Sequence, residues 1–130
     1  MNYDTKFDAK LAIWTLDDRL GRLALPYDLV LEKHVGDERT STTTWQENHF
    51  QWQVKKGCDG SVEDAIAALC DSLGAQTAQS IAALSENGSN WVVIGLLDQD
   101  FIEIHVPQEL QTEMAKYNLS LSIENRFRSV

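Results

Sequence analysis

The sequence predicts one α+β domain, in which a mixed, mainly antiparallel sheet carries helices on one of its faces. Segments with apolar residues at every second position alternate with segments whose apolar residues recur at helical spacing. The sharpest alternation is at 119–123, whereas Val62, Ile66, Leu69 and Leu73 form a helical stripe. A length of 130 residues suits one such domain.

The first half of the chain is expected to contain three strands and one short helix. Apolar residues favour strands at 10–15, 28–35 and 48–54, the last with a clear two-residue alternation. Leucines at helical spacing predict a short helix over 16–23, and Pro26 ends it.

A turn is predicted at 57–60, and a helix is expected to begin directly after it. Ser61 is the N-cap, with Asp64 three residues later as a variant capping box. Gly74 stops this helix, and a second helix follows at 75–84.

The last third of the chain predicts two further strands, one helix and a final strand. The run 91–97 is almost wholly apolar, as in a strand covered on both faces. A tight turn at 98–99 leads to a return strand at 101–106. Pro107 then begins a helix, and the alternating segment 119–123 closes the sheet.

The predicted order of elements is β-α-β-β-α-α-β-β-α-β. Mixed hairpins and crossovers of this kind give an α+β sheet with helices on one face. The opening β-α-β-β-α-β is the ferredoxin-like split arrangement, and the closing β-α-β is expected to extend the same sheet.

Charge is distributed unevenly along the chain. The 59 residues from 57 to 115 contain ten acids and neither lysine nor arginine, whereas residues 1–56 have nine acids and eight bases. Most of the net charge of −9 therefore comes from the second half. Such a chain repels nucleic acid and anionic lipid and attracts cationic partners. Its bases cluster only at Lys55-Lys56 and at Arg126/Arg128, so we expect no nucleic-acid partner.

Neither a membrane anchor nor a secretion signal is expected. No apolar run approaches the roughly 20 residues of a membrane span. The N-terminus has no basic segment followed by an apolar one, so we expect a cytoplasmic protein. In a reducing compartment Cys58 and Cys70 are expected to stay unpaired, with Cys70 buried on a helix face.

Two local patterns have the residue types of a chemical site. Asp98-Gln99-Asp100 resembles a pair of metal ligands, although its spacing also suits a hairpin turn. Glu103 and His105 share a strand face as an acid–base pair would, and equally as a solvent-facing strand side would. We interpret both patterns as structural, and we expect no catalytic residue, no metal and no cofactor.

The four tryptophans are expected to lie mostly at inward strand positions. Core packing explains Trp14, Trp45, Trp52 and Trp91 better than a ligand cage does. Trp45 follows a loop rich in threonine and is expected to be partly exposed.

Several short motifs resemble one bacterial family. Gly36-Asp37-Glu38-Arg39, Trp45 and Phe50-Gln51-Trp52, followed by the helix 62–73 and the closing pair 110–123, resemble the family known as domain of unknown function 4279. The resemblance implies a small cytosolic α+β protein without established catalysis. In size, acidity and lack of catalytic motifs, the chain is also similar in kind to the immunity proteins of contact-dependent and polymorphic toxin systems.

The leading hypothesis is therefore a cytosolic immunity protein that binds a cognate toxin domain with a basic surface, such as a nuclease. Carboxylates from turns and helix faces would steer the toxin and cover its active cleft. The candidate partner-binding residues are Asp59, Glu63, Asp64, Asp71, Asp98, Asp100 and Glu103. Two alternatives are open: a non-catalytic housekeeping protein whose charge only maintains solubility, and a small enzyme built around His49 or His105. The oligomeric state is left open by the sequence.

Overall fold

Five strands form one sheet in the computed structural model, which describes residues 5–97 and 104–126. The strands lie in the order β2-β3-β1-β4-β5. Their bounds are β1 Thr5–Thr15, β2 Asp28–Lys33, β3 Asn48–Gly60, β4 Gly88–Leu97 and β5 Leu119–Arg126.

The pairing confirms the predicted fold class. β1 pairs antiparallel with β3 and with β4, and β2 pairs antiparallel with β3. The parallel strands β1 and β2 therefore enclose β3, which is the split β-α-β arrangement. β5 pairs parallel with β4 and extends the same sheet, as the closing β-α-β predicts. The short helix predicted at 16–23 is a 3-10 helix, Asp18–Arg22.

Two α-helices, α1 (Val62–Leu84) and α2 (Gln108–Lys116), pack on one face of the sheet. Ser61 caps α1, because its Oγ accepts from the Asp64 N–H at 3.2 Å. The predicted stop at Gly74 is a break inside α1, where the backbone takes φ 71° and ψ 165°. The two predicted helices are thus the two parts of one kinked element.

The hydrophobic core lies between the helices and the inward positions of the strands. The two-residue alternation of β1 and β4 and the helical stripe of α1 place the largest apolar side chains there. Its fully buried members include Phe7, Leu11, Ile13, Ile66, Leu69, Ile81, Val92 and Ile94.

Buried polar side chains of the sheet bind carbonyls at the helix ends. Thr15 Oγ1 donates to the carbonyl of Leu84 at 2.9 Å. Asn90 Nδ2 donates to the carbonyls of Ile81 at 2.8 Å and Tyr117 at 3.2 Å. These bonds satisfy carbonyls that helix ends leave without a partner, and they fix both helices relative to the sheet.

Several predicted strand boundaries differ in the structure, since β1 begins at Thr5, β2 ends at Lys33 and β4 begins at Gly88. The predicted turn at 57–60 belongs to β3, which continues along β1 through register shifts around Ala9. The Asp8 carboxylate accepts from the Gly57 N–H at 2.5 Å there, and Gly57 takes a positive φ of 55° that suits glycine. The return strand predicted at 101–106 lies partly outside the described residues, and residues 104–107 have no regular secondary structure.

Candidate functional site

Five carboxylates project from the two helices on the same side of the sheet. Asp64, Asp71 and Glu109 are exposed, and Glu63 and Glu113 are half-buried. We call these five residues the acidic helical surface. The only lysine or arginine within α1 and α2 is Lys116, whose ammonium lies 2.7 Å from Glu113.

Within this surface, Glu63 has a structural role. One of its oxygens accepts from Ser61 Oγ and the other from the His105 N–H, both at 2.8 Å. Burial raises the pKa of Glu63, but hydrogen bonds from backbone N–H groups and from Ser61 outweigh that effect and lower the pKa below its ordinary value. Glu63 therefore ties the segment before α2 to the start of α1, and little of its hydrogen-bonding capacity remains for a partner.

Asp71 and Glu113 face each other across a groove between α1 and α2, whose floor contains Cys70 and Tyr117. Burial, with contributions from Glu113 and Asp71, raises the pKa of the Cys70 thiol to about 11. The thiol therefore stays protonated and unreactive at neutral pH. Lys116 also lines this groove and pairs with Glu113 at 2.7 Å, so the two acids and one lysine give the lining one net negative charge.

Asp59 does not belong to the acidic helical surface. The β1–β3 register places Asp59 directly opposite Lys6, so the two side chains share the sheet face that the helices do not cover. A base from the first half of the chain thus stands beside this acid. Three other candidates, Asp98, Asp100 and Glu103, lie outside the described residues.

Two arginines lie near the other end of α1, together with the acids Asp17 and Glu86. Arg19 and Arg22 of the 3-10 helix line a shallow pocket with Ser80 and Leu84. Arg19 donates to the carboxylate of Asp17, and this hydrogen bond lowers the Asp17 pKa to about 2. Acids near the start of α1 and arginines near its end both match the helix dipole, so part of this charge pattern stabilises the fold.

The face of the sheet opposite the helices carries an aromatic cluster of Trp14, Trp45, His49 and Arg39. The rings of Trp14 and His49 stack at 4.0 Å with an interplanar angle of 16°. Trp45 lies 5.5 Å from His49, and the Arg39 guanidinium lies 4.8 Å from the Trp45 ring. The loop between β2 and β3 positions Trp45 through two backbone hydrogen bonds. The Gly36 N–H donates to the Trp45 carbonyl, and the Trp45 N–H donates to the Asp37 carbonyl. Arg39 and Trp45, which belong to the motifs that resemble the family of unknown function, thus contact each other in this cluster.

His49 is enclosed, with only 5% of its surface exposed. Its Nε2 lies 3.1 Å from Gln51 Nε2; because an amide nitrogen donates, His49 Nε2 accepts and Nδ1 carries the ring proton. Nδ1 is buried and has no hydrogen-bond partner in the part of the chain that the structure describes. Burial, and then the charge of Arg39, lowers the His49 pKa to about 4. The imidazole is therefore neutral at physiological pH, and almost all of its surface is covered.

Only one tryptophan belongs to the core. Trp52 is buried under the helices, whereas Trp14 and Trp91 lie half-buried on the opposite face of the sheet. The expectation that Trp14 and Trp91 point inward is wrong. The two-residue alternation of side chains along a strand could have predicted the outward position of Trp14, because Trp14 shares its strand face with Lys10 and not with Leu11 or Ile13.

No group of three or more His, Cys, Asp or Glu side chains within residues 5–97 and 104–126 is arranged to hold a metal ion. No helix in the same ranges is long and apolar enough to cross a membrane. Comparison with protein-family models, curated proteins and solved structures returned no match.

Proposed function

We propose that this chain is a cytoplasmic immunity protein, which binds a toxin domain with a basic surface and blocks its active site. The observation that carries the proposal is the acidic helical surface, where five carboxylates on two adjacent helices are accompanied by one lysine. A solubilising surface normally mixes both signs of charge, so this separation supports a partner of opposite charge.

The surface would act in two stages. Negative potential first raises the association rate of a cationic domain, over distances of about 10 Å at moderate salt. Carboxylates then occupy the basic cleft in which a nuclease would hold substrate phosphates. Blocking of the cleft needs no chemistry from the immunity protein, in accordance with the enclosed position of His49.

The positions of the candidate acids limit which of them could contact the proposed partner. Asp64, Asp71 and Glu109 are exposed and available to a partner, whereas Ser61 and His105 engage Glu63 and Lys116 pairs with Glu113. Asp59 lies beside Lys6 on the other sheet face, so it is left out of the proposed interface. Asp98, Asp100 and Glu103 remain candidates from the sequence.

The test is binding of the purified product of the neighbouring gene, taken as the candidate toxin. We expect the triple variant Asp64→Lys, Asp71→Lys and Glu109→Lys to slow association at least about tenfold and to abolish most of its salt dependence. A matched control reverses three exposed acids on or near the opposite edge of the sheet, Asp28, Glu32 and Glu38, with the same change in net charge. The control should slow association far less.

Three results would contradict the proposal: no binding, binding indifferent to salt, or equal losses in the two triple variants. Full protection of cells from the toxin by the Asp64, Asp71 and Glu109 variant would favour the alternative that the acidity serves only solubility.

A further inference from the structure

β2 is an edge strand that carries exposed apolar residues. Within the described residues, β2 pairs with β3 on one side and with no strand on the other. Leu29 and Val30 are 44% and 48% exposed, although both are large apolar residues. An open edge with apolar side chains is a place where a strand of another molecule can pair.

The register shift in β2 gives this strand a symmetric pattern of faces. Leu29 and Glu32 lie opposite core residues of β3, so both are on the face that the helices cover. Asp28 and Lys33 lie opposite polar residues of β3 on the uncovered face. Residues five positions apart on a regular strand lie on opposite faces. The extra residue between Leu29 and Leu31 therefore brings Asp28 and Lys33 to the same face.

This pattern of faces is the same when β2 is followed in either direction, as two identical antiparallel strands require. With a two-fold axis between Val30 and Leu31, Asp28 of one copy lies directly opposite Lys33 of the other, twice in each interface. Directly opposite residues then share a face along the strand pair. A lone lysine on an edge discourages pairing, but an acid opposite it on the same face stabilises the pair. The charges of β2 thus complement a second copy of β2.

We propose that β2 is a dimer interface, at which it pairs antiparallel with β2 of a second copy and joins the two sheets into one. Outer backbone groups bond across the two-fold axis, the Asp28–Lys33 pairs fix the register, and Leu29 and Val30 become covered. Because directly opposite residues share a face, the helices of both copies lie on the same side of the joined sheet. The dimer therefore presents two acidic helical surfaces on one side, and the inference does not rest on the proposed function.

Sedimentation velocity over a range of protein concentrations is the first test, and we expect a reversible dimer of the wild-type chain. Asp28→Lys and Lys33→Asp each set like charges opposite each other twice in the interface, so each should weaken the dimer at least about tenfold. The double variant Asp28→Lys, Lys33→Asp exchanges the two charges and should dimerise as the wild type does. Asp18→Lys changes an exposed acid outside β2 by the same charge and should alter the dissociation constant less than about twofold.

A mixture of the two single variants gives the sharper test. Each variant alone sets like charges against each other, whereas a chain with Asp28→Lys opposite a chain with Lys33→Asp has both opposite-charge pairs restored. Unlabelled Lys33→Asp should therefore shift the amide resonances of β2 in isotope-labelled Asp28→Lys, with an affinity near that of the wild-type dimer. Unlabelled Asp28→Lys added to the same labelled chain is the matched control and should cause little shift.

Four outcomes would overturn the inference: a wild-type chain that stays monomeric, a dimer that Asp28→Lys leaves intact, no recovery in the double variant or the mixture, or resonance shifts centred on α2 or β5. The chain with Asp28→Lys keeps its own acidic helical surface, so none of these outcomes depends on whether the toxin binds.

Discussion

The two faces of the sheet carry different kinds of side chain. The helical face carries carboxylates over an apolar core, and these come from the base-free stretch that contains α1 and most of α2. The opposite face carries the aromatic cluster together with Lys10, Lys33 and Arg39, all from the first half. An asymmetry along the sequence thus becomes in part an asymmetry across the sheet, because both helices follow β3 in the chain. The exceptions are Asp59 on the opposite face and Arg19 and Arg22 beside α1.

Within the described residues, each face of the sheet has one buried side-chain atom without a hydrogen-bond partner, Oδ1 of Asn90 on the helical side and Nδ1 of His49 on the other. On the helical side, Asn90 and Thr15 donate to carbonyls at the helix ends and hold the two layers together. On the opposite side, His49 accepts a hydrogen bond from Gln51 on its own strand at 3.1 Å and does not bind a helix end. The helical layer should therefore depend on its polar groups for stability, whereas the aromatic cluster should determine how stability responds to pH.

The largest expected effect is in Asn90→Ala on the helical side. The substitution removes two buried hydrogen bonds and leaves the carbonyls of Ile81 and Tyr117 unsatisfied. We expect a loss of about 3 to 4 kcal/mol in the free energy of unfolding, measured by urea denaturation followed by tryptophan fluorescence.

The control for this prediction lies on the uncovered face. Ser120 pairs in register with Trp91 and is exposed, so Ser120→Ala should change the unfolding free energy by less than about 0.5 kcal/mol. Similar losses in the two variants would show that the helical layer does not depend on its buried donor, and the contrast between the faces would fail.

The second prediction concerns pH and the aromatic cluster. The His49 pKa is about 4 in the folded chain, against an ordinary value of 6.5 when unfolded. As pH falls from 6.5 to 4, the unfolded chain takes up a proton on His49 that the folded chain does not. Stability is therefore full above pH 6.5 and falls across this window, by at most about 3 kcal/mol from this residue.

His49→Phe keeps a ring against Trp14 and removes the titrating group. The difference between its unfolding free energy and that of the wild type should change with pH between 6.5 and 4. The exposed His34 provides the comparison, since its replacement by glutamine should leave that pH dependence in place. An unchanged slope in His49→Phe would assign the effect to the carboxylates.

Sequence patterns were sufficient for the fold and for one part of the candidate site. The alternation at 48–54 correctly predicted that Trp52 and His49 lie on opposite faces of the sheet. The Ser61 cap and the Gly74 break were visible as local signals in the sequence. The extension of β3 to Gly60 was not visible, because a bulge depends on the partner strand as well as on its own residues.

The arrangement of the candidate site could not be predicted without the pairing register of the strands. Asp59 and Glu63 are close in sequence, yet pairing with Lys6 places Asp59 on one face and the start of α1 places Glu63 on the other. Trp14, Arg39 and His49 meet only because β1 pairs with β3 and the intervening loop folds back. Such contacts join distant parts of the chain and leave no local spacing to detect.

The smallest expected effect is in Arg39→Gln. Arg39 is exposed above Trp45, so the loss of the cation–π contact should cost no more than about 1 kcal/mol.

The charge of Arg39 is the lesser of the two causes that lower the His49 pKa, and burial is the greater. NMR titration of the His49 ring should therefore show a pKa above that of the wild type but still below its ordinary value. Lys33 lies opposite His49 in the register, and Lys33→Gln tests whether any nearby cation has this effect. A complete return of the His49 pKa to its ordinary value in Arg39→Gln would mean that charge, and not enclosure by the tryptophans, keeps this imidazole neutral.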